Sequence, residues 1–217
     1  KLVQGDDKIF TATTTRRTIR ARSVLLASGI VDIIPAIPGF EAIRKSGLVR
    51  FCPICDGFEF TDQRIGVIGS GEHGVKEVEF IRNYSSDLTL IDLDAGSSVR
   101  GDLHARLEKQ QIKYLHGSAS GIAAAGEHAI LVDMEDGPHQ FDTIYCALGS
   151  HVRSELALEM GACCDKQGCL QVNAHLETSI PGLFAAGDVV SSLDQLAVAA
   201  GQAAIAATAI HNRLLQD

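Results

Sequence analysis

The segment that decides the fold reads Arg64-Ile65-Gly66-Val67-Ile68-Gly69-Ser70-Gly71-Glu72-His73-Gly74. Its first half is a short apolar run, typical of a buried strand, and the following residues, Val75–Tyr84, carry apolar side chains at helical spacing. A glycine-rich turn between strand and helix predicts a site for a dinucleotide pyrophosphate. Gly69 would permit the tight turn, Gly71 would let the backbone approach the phosphates, and Gly74 would let helix and strand pack closely. The helix N-terminus would face the negative charge.

The turn stands in the setting that this motif requires. A second strand, Leu88–Ile91, follows the helix and ends at Asp92, about 20 residues beyond the glycines. We expect Asp92 to accept a hydrogen bond from a ribose 2′-hydroxyl, with the loop residues Ser70, Glu72 and His73 around the nucleotide. Asp94 adds a second negative charge, which favours NADH because the 2′-phosphate of NADPH would meet two carboxylates. Alternatively, the glycines form an ordinary turn and the two aspartates are loop residues that bind no nucleotide.

Strands and helices alternate along most of the chain, which predicts an α/β fold with a parallel sheet. Three apolar strands end in glycine, at Ser28-Gly29, Leu148-Gly149 and Ala186-Gly187, and open α/β sheets bind ligands at such ends. A long alanine-rich helix is predicted over Ala197–Leu215. Prolines interrupt Ile34–Phe40, which indicates a crossover or a domain boundary there.

Composition excludes several classes of protein. The net charge of −8 argues against a nucleic-acid partner, because phosphate binding needs a basic face. No apolar run approaches the roughly 20 residues of a membrane-spanning helix. The six cysteines include one CxxC pair, and the other four lack a regular spacing, which indicates a reducing compartment and one redox or metal pair. We therefore expect a cytoplasmic protein.

That pair lies in Cys52-Pro53-Ile54-Cys55-Asp56 and could close a small disulfide or supply half of a zinc site. Zinc would need two more ligands, and no second CxxC or HxxxH exists. Cys163, Cys164 and Cys169 could supply them only by folding across the chain, so we expect no metal. The neighbouring nucleotide motif favours redox use. Asp56 could transfer a proton to or from a departing thiolate, or it could simply form a turn ahead of Gly57.

A third cluster is Gly187-Asp188 at a strand end, followed by Gln195 at the start of the long helix. It offers a carboxylate and helix-start N–H groups to a hydroxylated or anionic ligand. Alone, this pattern is not specific.

Together these residues resemble the low-molecular-weight thioredoxin reductases, which are FAD-dependent pyridine nucleotide-disulfide oxidoreductases. The matching segments are Ala27–Gly29, Cys52–Gly57, Gly69–Gly74 and Thr178–Val189. The resemblance implies two Rossmann-like three-layer nucleotide-binding domains. Residues 1–40 and 150–217 would form the two parts of the FAD-binding domain, and residues 41–149 the NAD(P)-binding domain with the CxxC pair.

The resemblance also implies an activity, in which a nicotinamide reduces FAD and FAD reduces the cysteine disulfide. Electrons would then pass to a thioredoxin-like protein or a small disulfide substrate. Cys55 would face the flavin, Cys52 would exchange with the substrate, and Asp56 would be the general acid. The implied cofactor-binding residues, besides the glycine loop and Asp92, are Gly149, Gly187, Asp188, Gln195, Leu196 and Ala197. Asp188 would hold the ribityl chain, a homodimer is implied, and the hinges would lie at Pro38-Gly39 and around Gly149.

Two departures from the family pattern shape the alternatives. The strand–GxGxxG–helix that cradles the FAD pyrophosphate in this family is not found before Ser28, so the FAD-type domain is expected to be incomplete at its N-terminus. Asp92-Leu93-Asp94 replaces the basic cluster that binds a 2′-phosphate. We expect a fragment of a longer reductase; the alternatives are a short NAD-binding module without flavin catalysis and a flavin-dependent dithiol oxidase. The intact glycine loop argues against the oxidase.

Overall fold

The computed structural model describes residues 1–94, 96 and 99–216. The chain divides into two compact units, one made of Lys1–Val31 with Ser150–Asp217 and the other of Asp32–Gly149. The strands are β1 (Leu2–Gln4), β2 (Phe10–Thr13), β3 (Thr18–Ala21), β4 (Val24–Leu26), β5 (Ile30–Asp32), β6 (Val49–Arg50), β7 (Ile65–Gly69), β8 (Leu88–Asp92), β9 (Lys113–His116), β10 (Ala119–Ala124), β11 (Ile130–Met134), β12 (Gly137–Phe141), β13 (Thr143–Ala147), β14 (Ser150–Val152) and β15 (Leu183–Ala185). The helices are α1 (Phe40–Lys45), α2 (Pro53–Asp56), α3 (Gly71–Ile81), α4 (Asp102–Lys109), α5 (Glu155–Leu158) and α6 (Leu196–Gln216), with a 3₁₀ turn at Gly57–Phe60.

The second unit is built on a parallel sheet of five strands in the order β6-β13-β7-β8-β9. Its inner strands β7, β8 and β13 are buried along their whole length, which explains their mostly apolar sequences. Because all five strands run the same way, the segments that follow them meet at one edge of the sheet.

Each face of this sheet carries its own core, so the unit has three layers. On one face, alternate residues such as Ile65 and Val67 pack against α3 and α4 through Val75, Val78 and Leu107. On the other face, residues such as Ile68 and Ile144 pack against the antiparallel β10-β11-β12 sheet and α1. The predicted α/β fold with a parallel sheet is therefore confirmed.

The first unit combines an antiparallel sheet, β1-β2-β3, with the parallel pair β15-β4. Leu183 pairs with Val24 and Ala185 with Leu26, so both strands of the pair end at the same edge. Phe10 and Leu170 are fully buried in the core of this unit. Helix α6 is 21 residues long and alanine-rich, yet Ala206 is its one buried residue among those described.

The boundary between the units differs from the predicted one by nine residues. The sequence placed it at residue 40, because Pro38-Gly39 breaks the chain, but the structure places the break after Val31. Pro38 accepts a hydrogen bond from Ile122 N–H at 3.0 Å, and a Cβ on Gly39 would lie 2.2 Å from the Ile122 carbonyl oxygen. The structure does not support the hinge expected at Pro38-Gly39, because both residues pack against Ile122 inside the second unit.

A second local difference concerns the stretch Phe141–Ala147, which reads as one strand in the sequence. In the structure it is interrupted at Asp142, whose carboxylate accepts hydrogen bonds from the Arg64 backbone at 2.9 Å and the Arg64 guanidinium at 2.6 Å.

Among the residues described, no helix is long and apolar enough to cross a membrane.

Candidate active site

Cys52 and Cys55 form a disulfide at the start of the one-turn helix α2, with their Cα atoms 5.3 Å apart. Pro53 at the first helical position needs no hydrogen bond to its nitrogen, and Cys55 N–H donates to the Cys52 carbonyl at 2.9 Å. Two apolar side chains beside the pair are strongly exposed, Ile54 at 62% and Phe58 at 82%. The disulfide therefore lies at the surface of the second unit, with Cys55 exposed.

Asp56 ends the same helix and lies next to Cys55. Its Oδ1 accepts a hydrogen bond of 2.6 Å from the Tyr145 hydroxyl, and its Oδ2 lies 3.6 Å from Nη1 of Arg50. Burial, with the neighbouring Asp56 carboxylate, raises the pKa of Tyr145 far above its usual range. Asp56 is thus held by specific partners instead of merely forming a turn.

The glycine loop joins β7 to α3 in the geometry that the motif predicts. Gly71 has a left-handed backbone with φ of 55°, and a Cβ built on it would meet nothing within 4 Å. Gly69 and Gly74 instead contact each other, because a Cβ on Gly74 would lie 2.7 Å from the Gly69 carbonyl carbon. The open side of the loop is therefore at Gly71, and the other two glycines let helix and strand approach closely.

This contact makes a direct prediction about stability. Gly74→Ala is expected to lower the free energy of unfolding by about 1–3 kcal/mol, because the added methyl group meets backbone that cannot move aside. Gly201→Ala in α6 is the matched control, since its Cβ would meet nothing within 4 Å and should stabilise the helix by about 0.5–1 kcal/mol. Thermal denaturation followed by circular dichroism measures both changes, and equal shifts in the two variants would contradict the prediction.

Glu72 and His73 occupy the first turn of α3, where both were expected to lie near the nucleotide. Glu72 is tied to Arg106 of α4 by two contacts of 3.1 and 3.0 Å, and Arg106 also binds Glu79. The Glu72 side chain therefore braces α3 against α4, whereas the His73 side chain is exposed. Ser70 takes the N-cap position with an extended backbone, and its carbonyl accepts from Gly74 N–H.

The expectation for Asp92 needs correction. Asp92 is fully buried, its Oδ2 accepts from the Tyr114 hydroxyl at 2.9 Å, and its Oδ1 accepts from Asp94 N–H at 3.2 Å. Because the carboxylate is buried, it does not face a ribose hydroxyl at the surface, and its hydrogen bond holds Tyr114 within the fold. Asp94, two residues further on, is the exposed carboxylate at this strand end.

Several predicted residues meet at the carboxyl edge of the parallel sheet. The disulfide follows β6, the glycine loop follows β7, Asp94 follows β8, and Gly149 follows β13. Gly149 has φ of 82°, and its carbonyl accepts from Ile33 N–H at 2.9 Å, so it terminates the sheet within the second unit. The redox pair and the nucleotide motif are thus brought to one edge of one sheet.

The first unit has a cavity of about 240 Å³ beyond the ends of β4 and β15. Its walls are small or apolar and include one carboxylate: the lining residues are Leu25, Ala27, Gly29, Ala186, Gly187, Asp188, Ala199 and Ala203. Burial raises the pKa of the nearby Asp194 carboxyl, and the negative charge of Asp188 raises it further. An apolar wall with a single acceptor suits a flat ring system joined to a hydroxylated chain.

The other residues expected at this cavity lie at the start of α6. Gly187 N–H donates to the Gln202 side chain at 2.7 Å, so this amide is already hydrogen-bonded within the unit. Gln195 immediately precedes α6, and its carbonyl accepts from Ala199 N–H. Leu196, at 91% exposure, and Ala197 begin the helix, and both are exposed in this unit.

Three residues of the second unit were missed by sequence reasoning: Arg50, Tyr114 and Tyr145. Tyr114 and Tyr145 each donate to an aspartate distant in sequence, and Arg50 lies opposite Tyr145 through the pairing of β6 with β13. The only local signal is Tyr145, whose hydroxyl lies in the middle of the buried strand β13. In the described part of the chain, no cluster of three or more metal-binding side chains is found.

Comparisons with known proteins assign this chain to a family. Residues 1–204 match the family model described as pyridine nucleotide-disulphide oxidoreductase. The thioredoxin reductase of Bacillus subtilis (strain 168) is 26% identical over 206 residues, covering 89% of this chain and 63% of that protein. The thioredoxin reductase of Mycolicibacterium smegmatis is 29% identical, covering 99% of this chain and 71% of that protein. The chain thus spans about two thirds of the length of the curated relatives it matches.

A solved structure supports the same fold. The thioredoxin reductase from Streptococcus pyogenes MGAS5005 superposes with a TM-score of 0.86 at 24% identity, covering 100% of this chain and 73% of that one. The resemblance stated from the motifs is therefore confirmed at the level of the family. Since the family model covers nearly the whole sequence, the chain belongs to the pyridine nucleotide-disulphide oxidoreductases.

Proposed function

We propose that this chain is part of a thioredoxin-reductase-like enzyme that passes electrons from NADH through FAD to the Cys52–Cys55 disulfide. The final acceptor would be a thioredoxin-like protein or a small disulfide. The observation that carries the proposal is the meeting of a disulfide and a dinucleotide loop at the carboxyl edge of one parallel sheet. A homodimer in the cytoplasm is part of the same proposal, supported by the family resemblance and the cysteine pattern.

The residues of the second unit fit a nicotinamide dinucleotide, which supplies a hydride when bound. Gly71 leaves room for a pyrophosphate, and α3 begins at this residue, where helix N–H groups lack acceptors within the helix. Because Asp92 is buried and Asp94 is exposed, Asp94 is the carboxylate that would accept from the ribose. Its negative charge disfavours a 2′-phosphate, which supports NADH over NADPH.

The residues of the first unit fit a flavin, which when bound carries two electrons between nicotinamide and disulfide. Ala27, Gly29 and Ala186 would form the wall of the cavity, and Asp188 would accept hydrogen bonds from a hydroxylated chain. Cys52 would exchange with the substrate disulfide and Cys55 would face the flavin, as the family resemblance implies. Asp56 would move the proton that this exchange requires.

The proposal is tested by a visible absorption spectrum of the purified protein supplied with FAD, before and after anaerobic addition of NADH. A flavin spectrum that NADH bleaches is the expected result. Asp188→Ala should weaken FAD binding by about 10- to 100-fold, because a charge-assisted hydrogen bond is lost. Asp6→Ala, an exposed aspartate of the same unit, is the matched control. A colourless protein that still binds NADH and has no thiol turnover would support the nucleotide-binding module instead.

A further inference from the structure

Two side chains approach the Asp56 carboxylate from neighbouring strands. In the parallel pairing of β6 with β13, Arg50 lies directly opposite Tyr145, so both side chains reach the same side of the sheet. Tyr145 donates to Oδ1 at 2.6 Å, within hydrogen-bonding distance, whereas Arg50 stays 3.6 Å from Oδ2, outside it. The two oxygens of Asp56 therefore have different surroundings.

A third residue braces both partners. The Phe60 ring lies 5.1 Å from the Arg50 guanidinium carbon and meets the Tyr145 ring edge-on, with 6.4 Å between ring centroids. Arg50 also contacts Glu59 at 3.5 Å, which limits its movement toward Asp56. The positions of Tyr145 and Arg50 are thus set by packing and do not depend on Asp56 alone.

The chemistry of Tyr145 separates the roles of the two oxygens. Tyr145 is fully buried, and burial with the Asp56 contact raises its pKa, so the hydroxyl keeps its proton and acts as a donor. Oδ1 is occupied by that donor. Among the described residues Oδ2 has no hydrogen-bond donor, which leaves it open to receive and release a proton.

We propose that Tyr145 is a positioning residue for thiol–disulfide exchange: it fixes Asp56 through Oδ1, while Arg50 stays beyond hydrogen-bonding distance and leaves Oδ2 to carry the proton. The inference rests on the proposed function. In the reduced protein, Oδ2 takes the Cys52 proton, the Cys52 thiolate attacks a substrate sulfur, and the substrate S–S bond breaks. The departing thiolate takes the proton from Oδ2. Cys55 then gives its proton to Oδ2 and attacks Cys52, and the second substrate thiolate leaves with that proton. Two electrons and two protons pass from the dithiol to the substrate.

The test compares two probe disulfides whose leaving thiolates differ in their need for a proton. The 217-residue chain is reduced, freed of reductant and mixed with either 2-hydroxyethyl disulfide or 5,5′-dithiobis(2-nitrobenzoate). The alkyl thiolate is a strong base and needs an acid to leave, whereas the aromatic thiolate leaves without one. Tyr145→Phe is expected to slow the alkyl reaction by about tenfold and to leave the aromatic reaction within about twofold of the wild type.

Tyr84→Phe is the matched control. Its ring lies against Gly57, beside Asp56, but no hydrogen bond of its hydroxyl is found in the described part of the chain. It should leave both rates unchanged. Asp56→Asn should reproduce the split between the probes, and adding Tyr145→Phe to it should slow the alkyl reaction no further, because Tyr145 acts through Asp56.

The possible outcomes separate this inference from the function on which it rests. Equal slowing of both probes by Tyr145→Phe, or no slowing of either, overturns the positioning role while the exchange activity stands. A reduced wild-type chain that reduces neither probe overturns the exchange function as well. Flavin and nucleotide are absent from the assay, so the electron supply does not affect the result.

Discussion

Replacing Cys52 with serine is expected to abolish disulfide reduction while NADH still bleaches the flavin. A serine hydroxyl is not ionised at neutral pH and cannot replace the thiolate, so turnover should fall by at least about a thousandfold. Electron transfer from NADH to flavin does not pass through the disulfide and should be retained. The two halves are measured separately, as anaerobic flavin bleaching and as NADH oxidation with a disulfide substrate.

The control for this variant is Cys163→Ser. Cys163 is an exposed free cysteine of the first unit, so the same atom is exchanged away from the proposed site. It should retain both activities. If Cys52→Ser retained disulfide turnover, or if Cys163→Ser lost it, the Cys52–Cys55 pair would not be the redox centre.

Asp94→Arg is expected to change the nucleotide preference, raising the ratio of kcat/KM with NADPH to that with NADH by about 100-fold. The change replaces an exposed negative charge at the end of β8 with a guanidinium that can bind a phosphate. The fold should be retained, because the Asp94 side chain is exposed and the substitution removes one local hydrogen bond, from Gly96 N–H to Oδ1. Steady-state kinetics with both nucleotides measure the ratio.

Asp87→Arg makes the same charge change at the other end of β8. Asp87 is half-buried and pairs with Lys113 at 2.8 Å. Because the carboxyl edge of the sheet is a strand length away, this variant should leave the ratio unchanged. A wild-type enzyme that uses NADPH far better than NADH would refute the reading of Asp94 directly.

Local signals were enough to predict the centre of the second unit. The apolar run before Gly69, the glycine spacing and the helical pattern after Gly74 all act within a dozen residues, and the structure contains the corresponding β7 and α3. The predicted boundary at residue 40 differs from the one in the structure, because Pro38-Gly39 indicates only a local break in the backbone. Such a break does not say on which core the flanking residues pack, and Gly39 packs against Ile122.

The site was harder to predict than the fold, because its partners are set by strand register. Asp92 and Tyr114 are 22 residues apart and meet only because β8 and β9 are neighbours. Tyr145 and Asp56 are 89 residues apart, and Arg50 faces Tyr145 only in the register of β6 with β13. A strand-end aspartate and a dinucleotide motif suggest a ribose contact, but the sequence contains no sign that a tyrosine from the next strand takes that carboxylate.

The second unit is inserted in the sequence between the two parts of the first, and this insertion affects the order of folding. In the unfolded chain, joining Val31 to Ser150 closes a loop of roughly 120 residues, which costs about 4 kcal/mol of chain entropy. Once Asp32–Gly149 has folded, its own ends are already held together by the 2.9 Å bond from Ile33 N–H to the Gly149 carbonyl. The entropy of closing this loop is then already lost, so the first unit should fold faster when the second unit is already native.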